Sequence, residues 1–188
     1  DATVKRKTGF LSPKFVNTSA LGYGVGLPYF INLAPNYDVT LTPTYLTRQG
    51  LLGEAEWRHR FSNGSYNIRA AGIFQQDKAA FLPSPFGAGN DKFRGSIETS
   101  GKVFLNPRWT FSWDVAGSTD RYFYKNYRIR SESITSGSFL QESTSTVALN
   151  GQSANAWFDM RGYYFQLLTY LDWQKQQPIV APAVDYTK

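Results

Sequence analysis

Two-residue alternation of side-chain character constrains the fold of this chain more than any other feature. Between Leu21 and Leu33 every odd position is apolar, while the even positions carry mainly glycine, proline and asparagine. Successive side chains of a strand point to opposite faces of a sheet, so this pattern predicts a strand with one apolar face. Similar alternation, interrupted by turn residues, predicts further strands. They cover residues 37–45, 54–61, 66–75, 93–105 and 109–115, with less regular strands near 142–149 and across 155–173.

The length of these strands favours a membrane barrel. Several are about 11–13 residues long, whereas strands of globular proteins are mostly about 5–6 residues and membrane-spanning strands need about 9–11. The chain is 16 % aromatic yet polar on average, with a mean hydropathy of −0.39. Such a balance is expected when one face of a sheet meets lipid and the other meets water. We therefore predict an all-β fold, an antiparallel meander of long strands that forms an incomplete segment of a large transmembrane β-barrel.

Composition excludes several kinds of site. The chain has no cysteine and a single histidine, His59, which argues against disulfides, thiolate metal sites and histidine-based catalysis. We expect no catalytic residue, no metal and no cofactor. The net charge of +6 suits an anionic partner such as nucleic acid or a lipid head group, or simply a solvated basic surface. Because the basic residues form no long run, we expect no nucleic acid among the partners.

Two prolines interrupt the first two predicted strands. When the apolar faces of the two strands coincide across the turn at residues 34–36, Pro28 lies opposite Thr42 and Leu27 lies opposite Pro43. Proline has no N–H group to donate to a neighbouring strand. The pattern predicts either a weakened seam at one height of the sheet or prolines that protect an edge strand from aggregation.

The stretch from Gly22 to Pro43 resembles a pattern of a known outer-membrane family. It follows the pattern L-P-Y-Y-x-N-x-A-P-N-x-D-x-T-x-T-P, which the basic turn before Gly50 and the strand residues Glu56 to Arg58 continue. This is the lipopolysaccharide-assembly outer-membrane family LptD, also called OstA or Imp. The resemblance is strong over residues 9–60, and its first residues resemble the exit from the periplasmic β-jellyroll domain of that family.

The resemblance implies an architecture. Residues 1–19 are then the tail end of the jellyroll domain or a linker. Residues 20–188 are the first strands of the barrel, about eight in number, which cannot close such a barrel by themselves. Pro28 and Pro43 match the positions at which the family weakens the seam and forms a lateral gate.

The resemblance also implies a function and partners. It implies a non-enzymatic protein of the Gram-negative cell outer membrane that delivers lipopolysaccharide (LPS) to the outer leaflet. The implied partners are LPS, an LptE-like lipoprotein plug, a periplasmic LPS-bridge protein that contacts the N-terminal domain, and outer-membrane lipids. A passive porin-like barrel segment and a soluble β-sandwich that binds carbohydrate are the alternatives.

The polar face of the predicted strands carries charges of both signs. In such a barrel this face lines the lumen and suits a hydrated path for a phosphorylated glycolipid head group. Ordinary solvation and pairing between strands would explain each charged residue taken singly. The residues predicted to face this path are Glu54, Glu56, Arg58, Arg60, Arg69, Arg94, Glu98, Lys102 and Asp114.

Overall fold

The structure, a computed structural model, describes residues 7–81, 89–131, 142–167 and 180–188. Within these residues the strands form a single antiparallel sheet that does not close on itself. A 3₁₀ turn at Lys78–Ala80 and a short helix α1 at Phe123–Tyr127 lie in its long connections. The strands are β1 (Gly9–Phe10), β2 (Lys14–Thr18), β3 (Gly22–Gly26), β4 (Tyr29–Ala34), β5 (Tyr37–Leu46), β6 (Gly50–Phe61), β7 (Gly64–Phe74), β8 (Phe93–Asn106), β9 (Trp109–Ser118), β10 (Glu142–Gln152), β11 (Trp157–Leu167) and β12 (Val180–Thr187).

Each strand from β4 to β11 pairs with the next strand along the chain. β3 and β4 occupy one position in the sheet, since both pair with β5, and β1 and β2 pair with their opposite edge. The predicted all-β antiparallel meander is therefore confirmed as an incomplete barrel segment. The described residues hold twelve strands rather than about eight. The count is higher for two reasons. A break at Pro13 separates β1 from β2, and a break at Pro28 separates β3 from β4. In addition, β1 and β2 lie at one edge of the sheet and β12 lies at the other, beyond the eight predicted strands.

The sheet extends beyond the predicted boundary at residue 19, because β1 and β2 belong to it. The assignment of residues 1–19 to a jellyroll domain or a linker stays a prediction. At the other end, β11 covers the predicted strand as far as Leu167, and the remainder of that prediction, residues 168–173, lies outside the described residues. In the part of the chain that the structure describes, no helix is long and apolar enough to cross a membrane.

The two faces of the sheet differ in chemistry. Glu56, Arg69 and Glu98 face one another across β6, β7 and β8 and define the inner face. The neighbouring residues along these strands define the outer face, on which Ile68 and Ile97 are exposed. Other exposed apolar side chains on the outer face are Leu41, Tyr45, Leu51, Phe74, Phe93 and Val115. An extended apolar face of this kind matches the lipid-facing side of a barrel.

Aromatic rings form a continuous band on the outer face near the tight turns. Tyr37 stacks on Trp57 with ring centroids 5.5 Å apart, and the band continues to Tyr66 and Trp113. The indole N–H of Trp57 donates to the Tyr66 hydroxyl (3.3 Å), and that of Trp113 donates to Thr99 Oγ1 (3.0 Å). Amphipathic rings with satisfied polar groups are typical of the girdle where a barrel wall leaves the membrane core.

The opposite end of the inner face is covered by the long connections after β7 and β9. Side chains from these connections pack onto apolar residues of the first strands and form a cluster that we call the inner core. Its buried members are Leu21, Leu46, Leu52, Ile73, Phe81, Phe123 and Tyr127. The connections therefore fold over the wall at this end.

Candidate functional site: the proline seam and the inner face

The predicted register of the first two strands agrees with the observed pairing from Tyr29 to Asn32. The predicted turn at residues 34–36 is wrong, because an irregularity at Leu33 shifts the pairing to Ala34↔Tyr37. β4 pairs with β5 at Tyr29↔Leu41, and β3 pairs with β5 in the same frame at Gly26↔Thr44. This frame sets Pro28 opposite Thr42 and Leu27 opposite Pro43. The strand itself breaks at residues 27–28, so we call the stretch of the sheet around Leu27, Pro28 and Pro43 the proline seam.

Each proline removes one hydrogen bond, but the two bonds belong to different strand pairs. The Leu27 amide donates to the Pro43 carbonyl (3.1 Å), and the reciprocal bond cannot form because Pro43 has no N–H. On the other edge, the Leu11 amide donates to the Pro28 carbonyl (2.8 Å), and Pro28 cannot return that bond. We call β3 and β4 together the seam strand, and its edge towards β1 and β2 the outer edge. Pro43 thus weakens the pairing between the seam strand and β5, whereas Pro28 weakens the pairing at the outer edge.

The turn before β3 is held firmly, in contrast to the seam. Arg48 donates from Nη1 to the Ser19 carbonyl, and from Nε to the Asp77 carboxylate (2.6 Å). The Gln49 side-chain amide donates to the carbonyls of Ala20 (2.8 Å) and Asp77 (3.0 Å). The hydrogen bond from Arg48 holds the pKa of Asp77 below its usual range. These contacts fasten the start of the seam strand to the connection after β7.

The inner face contains a cleft beside the seam and another towards the tight turns. The first, of about 360 Å³, is lined in part by Pro28 and by four predicted path residues, Glu54, Glu56, Arg69 and Glu98. The second, of about 530 Å³, is lined by the other four that reach solvent: Arg58, Arg60, Lys102 and Asp114. The fold brings these eight residues together in two groups on one face, and their role as a path stays a prediction.

Neighbouring strands pair many of the charges in these clefts. Glu56 accepts from Arg69 Nη2 at 3.1 Å, and the buried Asp38 carboxylate accepts from Arg58 Nε at 2.8 Å. Glu98 differs, because it is only 5 % exposed and neither carboxylate oxygen has a hydrogen-bond partner among the described residues. Burial, together with this nearby carboxylate, raises the pKa of Tyr124 in α1.

Arg94 departs from the sequence-based expectation. It lies on the inner face, but its side chain is 0 % exposed, so it cannot contact a molecule that passes along that face. Its guanidinium binds the Asp120 carboxylate through two hydrogen bonds of 2.7 Å. The rings of Phe81 and Tyr127 lie 4.9 and 5.3 Å from Arg94 Cζ. Arg94 is thus a structural residue that joins the inner core to β8.

Asp120 and Phe81 were not identified from the sequence as partners of Arg94. Both lie in connections, where alternation carries no information about contacts. The one signal was the density of aromatic and basic residues from Arg121 to Tyr127, which is unusual for a solvated loop. Among the described residues, no three histidine, aspartate or glutamate side chains come close enough to hold a metal ion.

Comparison with known families shows the family of the chain. The family model described as LptD, LPS transport system D, matches residues 92–188, which is just over half of the chain. The chain belongs to the LptD family. The matched part begins just before β8, whereas the pattern that suggested LptD from the sequence lies upstream, around the seam.

Individual LptD relatives extend the match towards the N-terminus. The chain is 34 % identical over 122 residues to the LPS-assembly protein LptD of Bordetella pertussis, covering 65 % of this chain and 14 % of that protein. It is 30 % identical over 159 residues to that of Pseudomonas syringae pv. tomato, covering 85 % of this chain and 17 % of that protein. It is 28 % identical over 181 residues to that of Bordetella avium, covering 96 % of this chain and 20 % of that protein. The match to each of these relatives thus covers at most a fifth of the relative's length.

Proposed function

We propose that this chain is the part of an outer-membrane barrel wall that carries one side of the exit for LPS. The observation that carries the proposal is membership in the LptD family, whose curated members are named as LPS-assembly proteins. That name supports a location in the Gram-negative outer membrane and LPS as the substrate. The exposed apolar outer face supports placement in lipid.

The seam supports the site of lateral exit. A wall opens with least cost where its ladder already lacks bonds, because each hydrogen bond contributes about 0.5–1.5 kcal/mol net. Pro28 and Pro43 each remove one such bond at nearly the same height. The cleft beside Pro28 is lined by charged side chains that can solvate a phosphorylated sugar on the inner side of the seam.

The same proposal extends to partners. An LptE-like lipoprotein inside the barrel would face the charged inner surface, and a periplasmic bridge protein would supply LPS from the other end. Outer-membrane lipids would contact the outer face. The role is one of transport, and none of the proposed steps makes or breaks a covalent bond.

The structure bears differently on the two alternatives, the soluble β-sandwich and the passive porin. A soluble β-sandwich requires two packed sheets, whereas the described strands form one sheet with an exposed apolar face. A passive porin has no need for a weakened seam, so it is an outcome of the test below.

Depletion and replacement of the full-length parent protein test the proposal. We expect depletion to abolish the appearance of newly made LPS on intact cells, detected by antibody, and replacement to restore it. Normal surface LPS in depleted cells would contradict the proposal. Loss of small-solute permeation with normal surface LPS would identify a passive porin instead.

A further inference from the structure

The outer edge of the seam strand is already occupied in this structure. β2 (Lys14–Thr18) pairs with β3 along its whole length, and β1 (Gly9–Phe10) pairs with the start of β4. Gly9–Thr18, which we call the edge segment, therefore lies on the edge that the first strand of a barrel needs for closure. Two different strands cannot bind this edge at the same time.

Side chains place the edge segment in the wall rather than in solvent. Phe15 lies opposite Val25, which in turn lies opposite Tyr45, so the three share the outer face. Phe10 and Phe15 are each 74 % exposed on this segment. Large exposed apolar side chains that continue a lipid-facing surface indicate a strand that lies in the membrane.

The attachment of the edge segment is unequal along its length. Its C-terminal end leads into Leu21, which is 1 % exposed in the inner core, and into the turn that Arg48 and Gln49 hold. Its N-terminal end is held by two residue pairs, by the bond from Leu11 to Pro28, by the contact of the Phe10 and Tyr29 rings, and by the bond from the Asn32 amide to Thr8 just before the segment. Beyond Leu11 the ladder breaks at Ser12 and Pro13, and Pro13 has no N–H to donate. The segment can therefore detach from its N-terminal end while its turn remains fixed.

A lateral gate in a bilayer creates a need for such a segment. When two wall strands separate, each exposes a row of backbone N–H and C=O groups to hydrocarbon, where these groups find no water. An alternative strand that binds the exposed edge removes this cost from one side of the opening.

We propose that the edge segment and the strand that closes the barrel exchange on the same edge of β3–β4. The closing strand lies in the part of the full-length protein outside these 188 residues. The edge segment binds when the closing strand leaves and detaches when the barrel closes again. This inference rests on the proposed lateral exit. It adds that the edge segment is the strand that binds the unpaired N–H and C=O groups of β3–β4 while the exit is open.

A reversible cross-link tests this exchange in the full-length parent protein in cells. The Leu27 amide points towards β5, and the backbone groups of Val25, two residues earlier, point the same way. Val25 therefore makes no backbone hydrogen bond to Phe15, its partner in β2, and the two form a non-hydrogen-bonded pair. Such pairs have a Cα separation of about 4.5 Å, which a disulfide can bridge. We expect oxidation of the Phe15→Cys/Val25→Cys variant to stop delivery of LPS to the surface, and reductant to restore it. The matched control is Tyr45→Cys/Leu51→Cys, an equivalent pair between β5 and β6, whose disulfide should leave delivery unchanged.

The outcomes separate the two proposals. Normal delivery with the Phe15–Val25 disulfide formed would overturn strand exchange, because the edge segment would then be a permanent wall strand. Failure of this pair to cross-link, while the control pair does, would also overturn it. If depletion of the parent leaves surface LPS unchanged, the proposed function fails, whatever the state of the cross-link.

Discussion

At the scale of single residues, the most consequential contact is one that alternation could not predict. Arg94 follows the polar pattern of β8, yet it is enclosed by aromatic rings and bound to Asp120 from a distant connection. A strand pattern specifies the face on which a residue lies, because the period of two is a backbone property. It does not specify what a connection of many residues will place on that face.

Replacement of Asp120 tests the structural role of Arg94. Asp120→Ala leaves the guanidinium buried without its partner and should destabilise the fold by about 3–5 kcal/mol. The measurement is urea unfolding of the full-length protein in detergent micelles. The exposed Asp185→Ala is the control and should have little effect. A double replacement of Arg94 and Asp120 by leucine should recover most of the loss, and an unaffected Asp120→Ala variant would contradict the buried pair.

Tyr127 gives a prediction in the alkaline range. Burial raises the pKa of Tyr127 to about 12, and its hydroxyl donates to Gln75 Oε1 at 2.7 Å. The fold therefore favours the neutral phenol, and this contribution is complete below about pH 10, the ordinary pKa of tyrosine. It is lost as the pH rises from about 10 towards 12. Unfolding midpoints should fall more steeply over this window for the native protein than for Tyr127→Phe, whereas Tyr186→Phe should behave as the native protein. Equal slopes would exclude this role for Tyr127.

At the scale of elements, the sequence was most informative where contacts are local. The register between β4 and β5 followed from the shared apolar face of the two strands, since a slip of one residue would move every side chain to the other face. The turn itself was not predicted correctly, because the pairing shifts at Leu33. The weak pairing at Pro28 followed from proline chemistry, but the division of that strand into β3 and β4 was not predicted, and β5 continues through Pro43. The pairing of β1–β2 with this strand was not predicted, since Gly9–Thr18 lacks the regular alternation of the strands beside it.

A proline replacement measures how much the seam is weakened. Pro43→Ala supplies an N–H group that can donate to the Leu27 carbonyl. One such hydrogen bond contributes about 0.5–1.5 kcal/mol net. Exchange of the Leu27 amide should therefore slow by about twofold to tenfold, as measured by hydrogen exchange with the full-length protein in detergent. Pro107→Ala, in the turn between β8 and β9, should leave this amide unchanged. Equal exchange in both variants would show that Pro43 does not limit the ladder.

At the scale of the whole molecule, the two faces of the sheet differ in chemistry. The outer face presents apolar side chains and an aromatic band, and the inner face presents paired charges. Alternation predicted this division, because it repeats in every strand. The inner core could not be predicted, since it joins Leu21 to Phe123 over about a hundred residues of chain. The result is a wall that is firm at one end of the seam strand and weak in its middle.

We propose that LPS leaves through this weak part of the wall. The direct measurement is the rate at which newly made LPS reaches the surface of cells whose full-length parent protein carries Pro28→Ala and Pro43→Ala. With both donors restored, we expect severalfold slower delivery at an equal amount of folded protein, and unchanged delivery for Pro107→Ala. Delivery at the native rate in the double variant, with the new hydrogen bonds shown by amide exchange, would contradict it.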